Sequence, residues 1–145
     1  MMPRYFLTLL LGFMLVACCL GKSFSSPLED EVTNIYKSYL REKNACATYD
    51  DYERVNQKYA SLGKLARMKL PKMRNTPDAL KASIFSVIQA TSFGVSELEV
   101  KKIDIRDGAA TVLYARTGHP ELTGEASLVK EDGSWKIDSD TLKTK

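Results

Sequence analysis

The chain has 145 residues, 44% of them hydrophobic, and a formal net charge of +3. This length gives room for one domain with its own core and excludes a larger multidomain organisation. Three cysteines are too few for a disulfide framework, and with a single histidine no Cys/His spacing of a metal site occurs.

The N-terminal segment has the pattern of an export signal. Arg4 is followed by an uncharged, mostly apolar stretch from Tyr5 to Leu20, and its sixteen residues fall short of the about 20 that a membrane-spanning helix needs. A positive charge, an apolar run and small residues at its end are typical of a signal peptide. The sequence therefore predicts that residues 1–17 are a signal.

The end of this segment, Leu15-Val16-Ala17-Cys18, resembles the bacterial lipobox. In that family the cysteine thiol is acylated with diacylglycerol and cleavage makes it the first residue. The resemblance implies a lipid on Cys18, residues 18–26 as lipidated cysteine and tether, and attachment to the bacterial cell envelope. Because Cys19 is not an aspartate, an outer membrane is allowed. Two or three acyl chains hold a protein on a membrane stably.

Two alternatives to the lipoprotein remain open. A plain secretory signal cleaved near Gly21 would leave a secreted protein, and an uncleaved segment would be an anchor helix. Either way an exported protein is not expected to bind nucleic acid. Cys19 and Cys46 could pair in an oxidising compartment, or Cys46 could be a small buried residue between two helices.

The first helix is predicted to begin at Ser26-Pro27-Leu28-Glu29, a capping box with proline at the first helical position. Asn44 is expected to end it in the left-handed conformation. The apolar residues of this segment recur at helical spacing on one face: Leu28, Val32, Ile35, Tyr36, Tyr39 and Leu40.

A second helix is predicted from Thr48, a capping residue, to about Leu62. Gly63 is expected to interrupt it, and one or two further turns at 65–70 would stop at Pro71. A third helix is predicted from Thr76-Pro77-Asp78 to Gly94. Its expected buried stripe is Leu80, Ile84, Val87, Ile88 and Thr91.

Beyond Gly94 the apolar pattern is that of strands. Leu98 and Val100 alternate in one phase and Ile103 and Ile105 in the other, which predicts a bulge at Lys101-Lys102. Asp-Gly pairs at 107–108 and 132–133 predict hairpin turns with positive φ. The other strands are expected at 109–117, 122–130 and 134–138, with residues 118–121 as a loop and with Trp135 and Ile137 on one face.

Helices followed by strands predict an α+β fold, with three N-terminal helices packed on a four-stranded antiparallel sheet over residues 27–145. This order and the ending GEASLVKEDGSWKID, residues 124–138, resemble the cystatin-like cone of nuclear transport factor two and its small bacterial relatives. Many of those relatives are lipoproteins with a domain of unknown function. The resemblance covers about residues 28–140 and implies a curved sheet around a pocket. Enzymes of that group use an acid or a His–Asp pair there, and other members bind small molecules or partners.

No catalytic, phosphate-loop or zinc motif occurs, so no catalytic residue, metal or cofactor is expected. His119 lies in a Gly-His-Pro segment and should be exposed, and Asp104 and Glu125 should be outward-facing strand charges. Tyrosines in the first two helices suit either an ordinary core or the wall of a ligand pocket. The pocket candidates are Tyr36, Tyr39, Tyr52 and Tyr59.

A basic stretch without any acidic residue runs from Arg54 to Pro77. Such a segment can bind anionic head groups, an envelope polymer or an acidic partner, or it can be a solvated face balanced by acids elsewhere. Its members are Arg54, Lys58, Lys64, Arg67, Lys69, Lys72 and Arg74.

From these features we expect a non-enzymatic envelope lipoprotein that binds a small ligand or a protein partner near the membrane. An enzyme of the same cone fold using a pocket carboxylate, or a secreted inhibitor or interaction protein, are the alternatives.

Overall fold

Four helices precede one antiparallel sheet in the computed structural model, which describes residues 25–68, 75–90 and 94–144. The predicted signal peptide, Cys18, Cys19 and the basic residues Lys69, Lys72 and Arg74 lie outside these residues. The sequence predicts three helices and, after the second of them, one or two further helical turns. In the structure these turns form a helix of their own. The predicted α+β class, with four antiparallel strands, is confirmed.

Helix α1, Pro27–Ala45, begins with the predicted capping box. The Glu29 amide donates to Ser26 Oγ at 3.2 Å, and the Ser26 amide donates to Glu29 Oε2 at 2.9 Å. The predicted left-handed end at Asn44 is wrong. The helix continues to Ala45, and the amide of the extended Cys46 donates to the Lys43 carbonyl, which closes the last turn without a left-handed residue.

Helix α2, Tyr49–Tyr59, is capped by Thr48 as predicted. It ends at Ala60, and helix α3 then covers Leu62–Met68. The interruption therefore falls at Ala60 and Ser61 and not at Gly63, which is helical. Ala60 forms a parallel bridge with Ile137, and the Ser61 amide donates to the Ile137 carbonyl at 2.8 Å. This backbone pairing with the sheet breaks the helix and covers a sheet edge.

Helix α4, Asp78–Ala90, buries a face that overlaps the predicted stripe only in part. Phe85 is its buried residue and packs on Tyr52, with ring centroids 6.4 Å apart. Ile84 and Ile88 flank this contact, whereas Leu80 and Val87 are 53% and 63% exposed. The predicted stripe is confirmed at Ile84 and Ile88 and wrong at Leu80 and Val87, because the largest side chain, Phe85, sets the buried face. Thr91 lies outside the described residues. None of the described helices is long and apolar enough to cross a membrane.

The sheet follows a 3-10 turn at Val95–Glu97. Its strands, hydrogen-bonded in the order β1-β2-β3-β4, are β1 Leu98–Arg106, β2 Ala109–Arg116, β3 His119–Glu131 and β4 Ser134–Thr144. The predicted bulge is confirmed by a register shift between Val100 and Lys102. Both Asp-Gly turns have positive φ at each residue, as predicted.

The expected loop at 118–121 is wrong. A two-residue turn with Gly118 at φ 78° suffices, and β3 already begins at His119, opposite Arg116. Pro120 is tolerated because β3 bulges away from β2 there and needs no ladder donor at that position.

Strand β4 extends six residues past the predicted end at Asp138. Ser127 pairs with Ser139 and Leu128 with Ile137, so Asp138 is the extra residue of a bulge. The bulge changes the phase of the strand. Asp140, rather than Ser139, therefore turns to the helix-covered face that Trp135 and Ile137 occupy, and those two residues share this face as predicted.

The core lies between this face and helices α1 and α2. Val112, Ala126, Leu128 and Ile137 are fully buried in the sheet layer, and Val32 and Tyr36 are the fully buried residues of α1.

Gly124 in β3 has a steric purpose. The ring of Tyr114 from β2 lies across it toward β4, and a Cβ at residue 124 would overlap the Tyr114 ring atoms. Glycine inside a strand marks such a close approach. Only this absence of a side chain lets Tyr114 reach the next strand.

Substitution of Gly124→Ala should therefore destabilise the fold by about 2–4 kcal/mol, because it overpacks the core and forces the Tyr114 hydroxyl from its partner. Urea unfolding measures this change. Gly94→Ala is the matched control, since its Cβ would meet nothing closer than 3.5 Å. Adding Tyr114→Leu should remove most of the Gly124→Ala penalty; a fully additive double variant would contradict the proposed clash.

Candidate functional site

A part-buried carboxylate joins helix α1 to two strands. Asp140 Oδ1 accepts hydrogen bonds from the hydroxyls of Tyr36, at 3.1 Å, and Tyr114, at 2.6 Å. The two rings lie 5.6 Å apart between centroids. Burial, and then the negative charge of Asp140, raise the pKa of both tyrosines. Both hydroxyls therefore keep their protons and act as donors to the carboxylate.

A lysine lies next to this arrangement. Lys64 of α3 donates from Nζ to the hydroxyl of Tyr39 at 3.1 Å and stands 4.7 Å from the centre of its ring. Burial lowers the pKa of Lys64 to about 8, and the positive charges of Lys43 and Arg67 act in the same direction. Asp140 and Asp138 oppose the shift through their negative charge without forming an ion pair with Lys64.

The bulge residue Asp138 fixes the position of α3. Its Oδ1 accepts from Ser61 Oγ at 2.6 Å and pairs with Arg67 at 2.9 Å, and its carbonyl accepts a second Arg67 bond at 2.7 Å. The Ser61 hydrogen bond, followed by Arg67, lowers the pKa of the Asp138 carboxyl. Asp138 is therefore charged at neutral pH and holds the helix that carries Lys64.

These groups form two hydrogen-bonded sets, one around Asp140 and one in which Ser61 joins Asp138 to α3 and Lys64 joins Tyr39, and the charge of Asp140 acts on Lys64 across them. We call the two sets together the polar joint. Helix α1 supplies two tyrosines, α3 a lysine, β2 a tyrosine and β4 two carboxylates. Its members are Tyr36, Tyr39, Lys64, Tyr114, Asp138 and Asp140.

Two of the four tyrosines proposed from sequence as pocket residues, Tyr36 and Tyr39, belong to the polar joint, and the other two lie elsewhere in the core. Tyr52 packs between Tyr49 and Phe85. Tyr59 donates to Glu42 Oε1 at 2.6 Å. All four are 8% exposed or less, and their role toward a ligand stays a prediction.

Two surface grooves are described beside helix α2. One, of about 350 Å³, is lined by residues of both helices near the α1–α2 corner, including Cys46, Arg54 and Lys58. The other, of about 380 Å³, lies between the start of α2 and α4, where Tyr49 and Phe85 line it. Neither groove reaches the four tyrosines proposed from sequence.

The described part of the basic segment is interleaved with acids from other positions. Arg54 pairs with Asp51, Lys58 with Glu42 at 2.6 Å, and Arg67 with Asp138. Each of these three side chains is more than half exposed, whereas Lys64 turns inward. Binding of this segment to an anionic surface stays a prediction.

The remaining candidates have local partners. Cys46 is buried and forms no disulfide within the described residues, and its thiol contacts the Glu42 carbonyl at 3.3 Å. Its pairing with Cys19, which lies outside those residues, stays a prediction. His119 is exposed beside Glu121, at 3.2 Å. Asp104 pairs with Arg106 and Glu125 with Lys143, as outward-facing strand charges do. Among the described residues no three His, Cys, Asp or Glu side chains gather as a metal site.

Compared with known protein families, curated proteins and solved structures, the chain matches none of them.

Sequence reasoning missed Tyr114, Asp138 and Asp140 as members of a common site. A signal was present, since Gly124 interrupts a strand pattern and two aspartates follow Trp135 and Ile137. These three residues come together, however, only because of the bulge at Asp138 and the pairing of strands that are distant in the sequence.

The low pKa of Lys64 predicts a pH-dependent stability. The folded pKa of about 8 lies below the ordinary value of 10.5, so from pH 8 upward the unfolded chain binds more protons and native stability rises. Lys64→Met removes this rise. The variant should be more stable than the native chain at pH 7, by about 1–2 kcal/mol, with the difference vanishing toward pH 10.

Denaturant unfolding at several pH values measures this, with Lys58→Met as the exposed, ion-paired control. The comparison should stop near pH 10, because the raised pKa values of the buried tyrosines destabilise the fold above it. A stability difference between Lys64→Met and the native chain that stays constant over this range would contradict the assignment.

Proposed function

We propose that this protein is a bacterial envelope lipoprotein, anchored through Cys18, whose domain binds a small ligand or protein partner near the membrane without catalysis. The observation that carries the proposal is the lipobox-like Leu15–Cys18 at the end of an apolar signal segment. The capped helix α1 starts only nine residues later.

The short tether supports a membrane-proximal role. Eight residues separate Cys18 from Pro27, and they span at most about 28 Å when fully extended. Tyr36 donates to Asp140, whereas Glu42, further along α1, accepts from Lys58, whose carbonyl accepts from Lys136, so α1 runs antiparallel to β4. The start of α1 and the end of β4 therefore lie at the same end of the domain, which the tether would hold nearest the lipid.

Two half-exposed leucines are consistent with this orientation. Leu28 in the first turn of α1 and Leu142 near the end of β4 are 41% and 40% exposed. An apolar contribution at the anchored end would add to the attachment that the acyl chains supply.

Within the α+β class, we propose that the domain has a cone-like fold. Helices cover one face of the sheet, and β-bulges interrupt β1 and β4. Because bulges bend and twist strands, they support a sheet that curves around the helix layer.

A binding role is favoured over catalysis because the carboxylate on the helix-covered face of the sheet is tied into the fold. Asp140 accepts from two tyrosines. One observation favours an enzyme as the second candidate, namely the closeness of Asp140 to a lysine of lowered pKa. A secreted interaction protein is the third, supported by exposed Leu80 and Val87 on α4.

The proposal is tested by the intact mass of the full-length product made in a bacterial host, together with Cys18→Ser. We expect a mature chain that starts at Cys18 and carries diacylglycerol, while Cys18→Ser stays unprocessed and membrane-bound through its signal. Cys19→Ser is the matched control and should mature like the native chain.

A mature start near Gly21 without added lipid would refute the anchor. The protein would then be sought as a secreted interaction protein, and Cys18→Ser would be processed normally.

A further inference from the structure

Hydrogen-bond donors without acceptors gather around the ring of Tyr39. Lys64 Nζ has three N–H donors and, among the described residues, the Tyr39 hydroxyl is its one hydrogen-bond acceptor. The Tyr39 hydroxyl oxygen receives this bond, and its own hydrogen meets no acceptor in the described part of the chain. The Tyr39 side chain is buried and its contact with Lys64 is part-buried, and donors withdrawn from water are costly to leave unpaired.

A second ammonium group faces the same ring. Lys43, in the last turn of α1, has its Nζ 5.9 Å from the centre of the Tyr39 ring, and it forms no ion pair within residues 25–68, 75–90 and 94–144. The positive charge at Lys43 lowers the pKa of Lys64. Two cations held near each other and repelling each other favour an anion between them.

The neighbouring acids do not fill this role, because each is bonded to other groups. Asp138 is held by Ser61 and Arg67, and Asp140 by Tyr36 and Tyr114. Arg67 adds a third positive charge beside Lys64 but is already paired. Around Tyr39 there is therefore more positive than negative charge, and there are more hydrogen-bond donors than acceptors among the described residues.

We propose that Lys43, Lys64 and Tyr39 form a binding site for a phosphoryl oxyanion. Lysine ammonium groups bind phosphate as point charges, whereas planar carboxylates are matched best by the fork of arginine. A tetrahedral oxyanion can accept from two ammonium groups on different sides and from a hydroxyl. Either a phospholipid head group or a free phosphate ester offers this chemistry.

This inference names the ligand class of the proposed binding function and rests on that function, but it does not depend on the anchor. It also differs from the basic surface expected from sequence, because Lys43 lies outside that segment and Lys58, within it, is paired with Glu42.

The test is competitive acetylation of the full chain in neutral detergent at neutral pH, read by mass spectrometry at each lysine. Inorganic phosphate is raised at constant ionic strength, with acetate as the alternative anion. We expect phosphate to slow labelling of Lys64 about tenfold, because a bound anion favours the protonated amine. Labelling of Lys43 should slow in parallel, and that of Lys58 should not change.

Variants test whether the protection of Lys64 by phosphate depends on the residues of the proposed site. Lys43→Met and Tyr39→Phe should each weaken phosphate protection of Lys64 about tenfold, as expected for loss of one bond to a charged group. Lys58→Met should leave it unchanged. Far-UV circular dichroism and thermal unfolding confirm that each variant is folded, so that a loss of protection reports on the site.

A lipid arm separates the two sources. Protection of Lys64 by phosphatidylglycerol mixed into the detergent micelles as well as by phosphate assigns a lipid head group, and protection by phosphate alone assigns a free ester. Unchanged labelling in both arms, or equal protection by acetate, overturns the proposal. Labelling of Lys64 in the presence of phosphate does not depend on whether Cys18 carries a lipid. A negative result for the anchor and a negative result for this site can therefore be told apart.

Discussion

The position of helix α1 on the sheet depends on the carboxylate of Asp140. It accepts hydrogen bonds from Tyr36 of α1 and Tyr114 of β2, so three elements meet at one part-buried carboxylate. Such a group is tolerated because both of its partners are donors held in place by packing. Without the carboxylate, two buried hydroxyls would lose their acceptor. Since Tyr39 follows Tyr36 by one helical turn, the same interaction also sets where Tyr39 meets Lys64.

The path of β4 determines the rest of the site. The bulge at Asp138 turns Asp140 inward and leaves Asp138 to bind Ser61 and Arg67. The edge of β4 also pairs with Ala60 and Ser61, which ends α2 and starts α3. Lys64 is thus brought over Tyr39 by contacts with one strand. The structural role of the polar joint and the proposed binding role share Tyr39 and Lys64, because the contacts that fix the helices also bring these donors together.

Local features were predictable from sequence and long-range ones were not. The caps at Ser26 and Thr48, the Asp-Gly turns and the bulge beside Lys102 depend on neighbouring residues, and the structure has them all. Strand β4 was predicted too short because the bulge at Asp138 breaks the alternation on which the prediction relied. The prediction for α4 is wrong at Leu80 and Val87 because packing of Phe85 on Tyr52 turns these two residues outward. The inward turn of Lys64 within a basic segment depends on Tyr39, 25 residues earlier, and no local pattern shows it.

The most direct test of the central claim, that the polar joint holds Lys64 as an unpaired ammonium ready for an anion, is an NMR titration of its side chain in the full chain. The structure predicts that the pKa of Lys64 lies near 8 without phosphate and rises when phosphate is added, while exposed lysines keep their values. A Lys64 that titrates like an exposed lysine and does not respond to phosphate would contradict both the burial of this group and the site built on it.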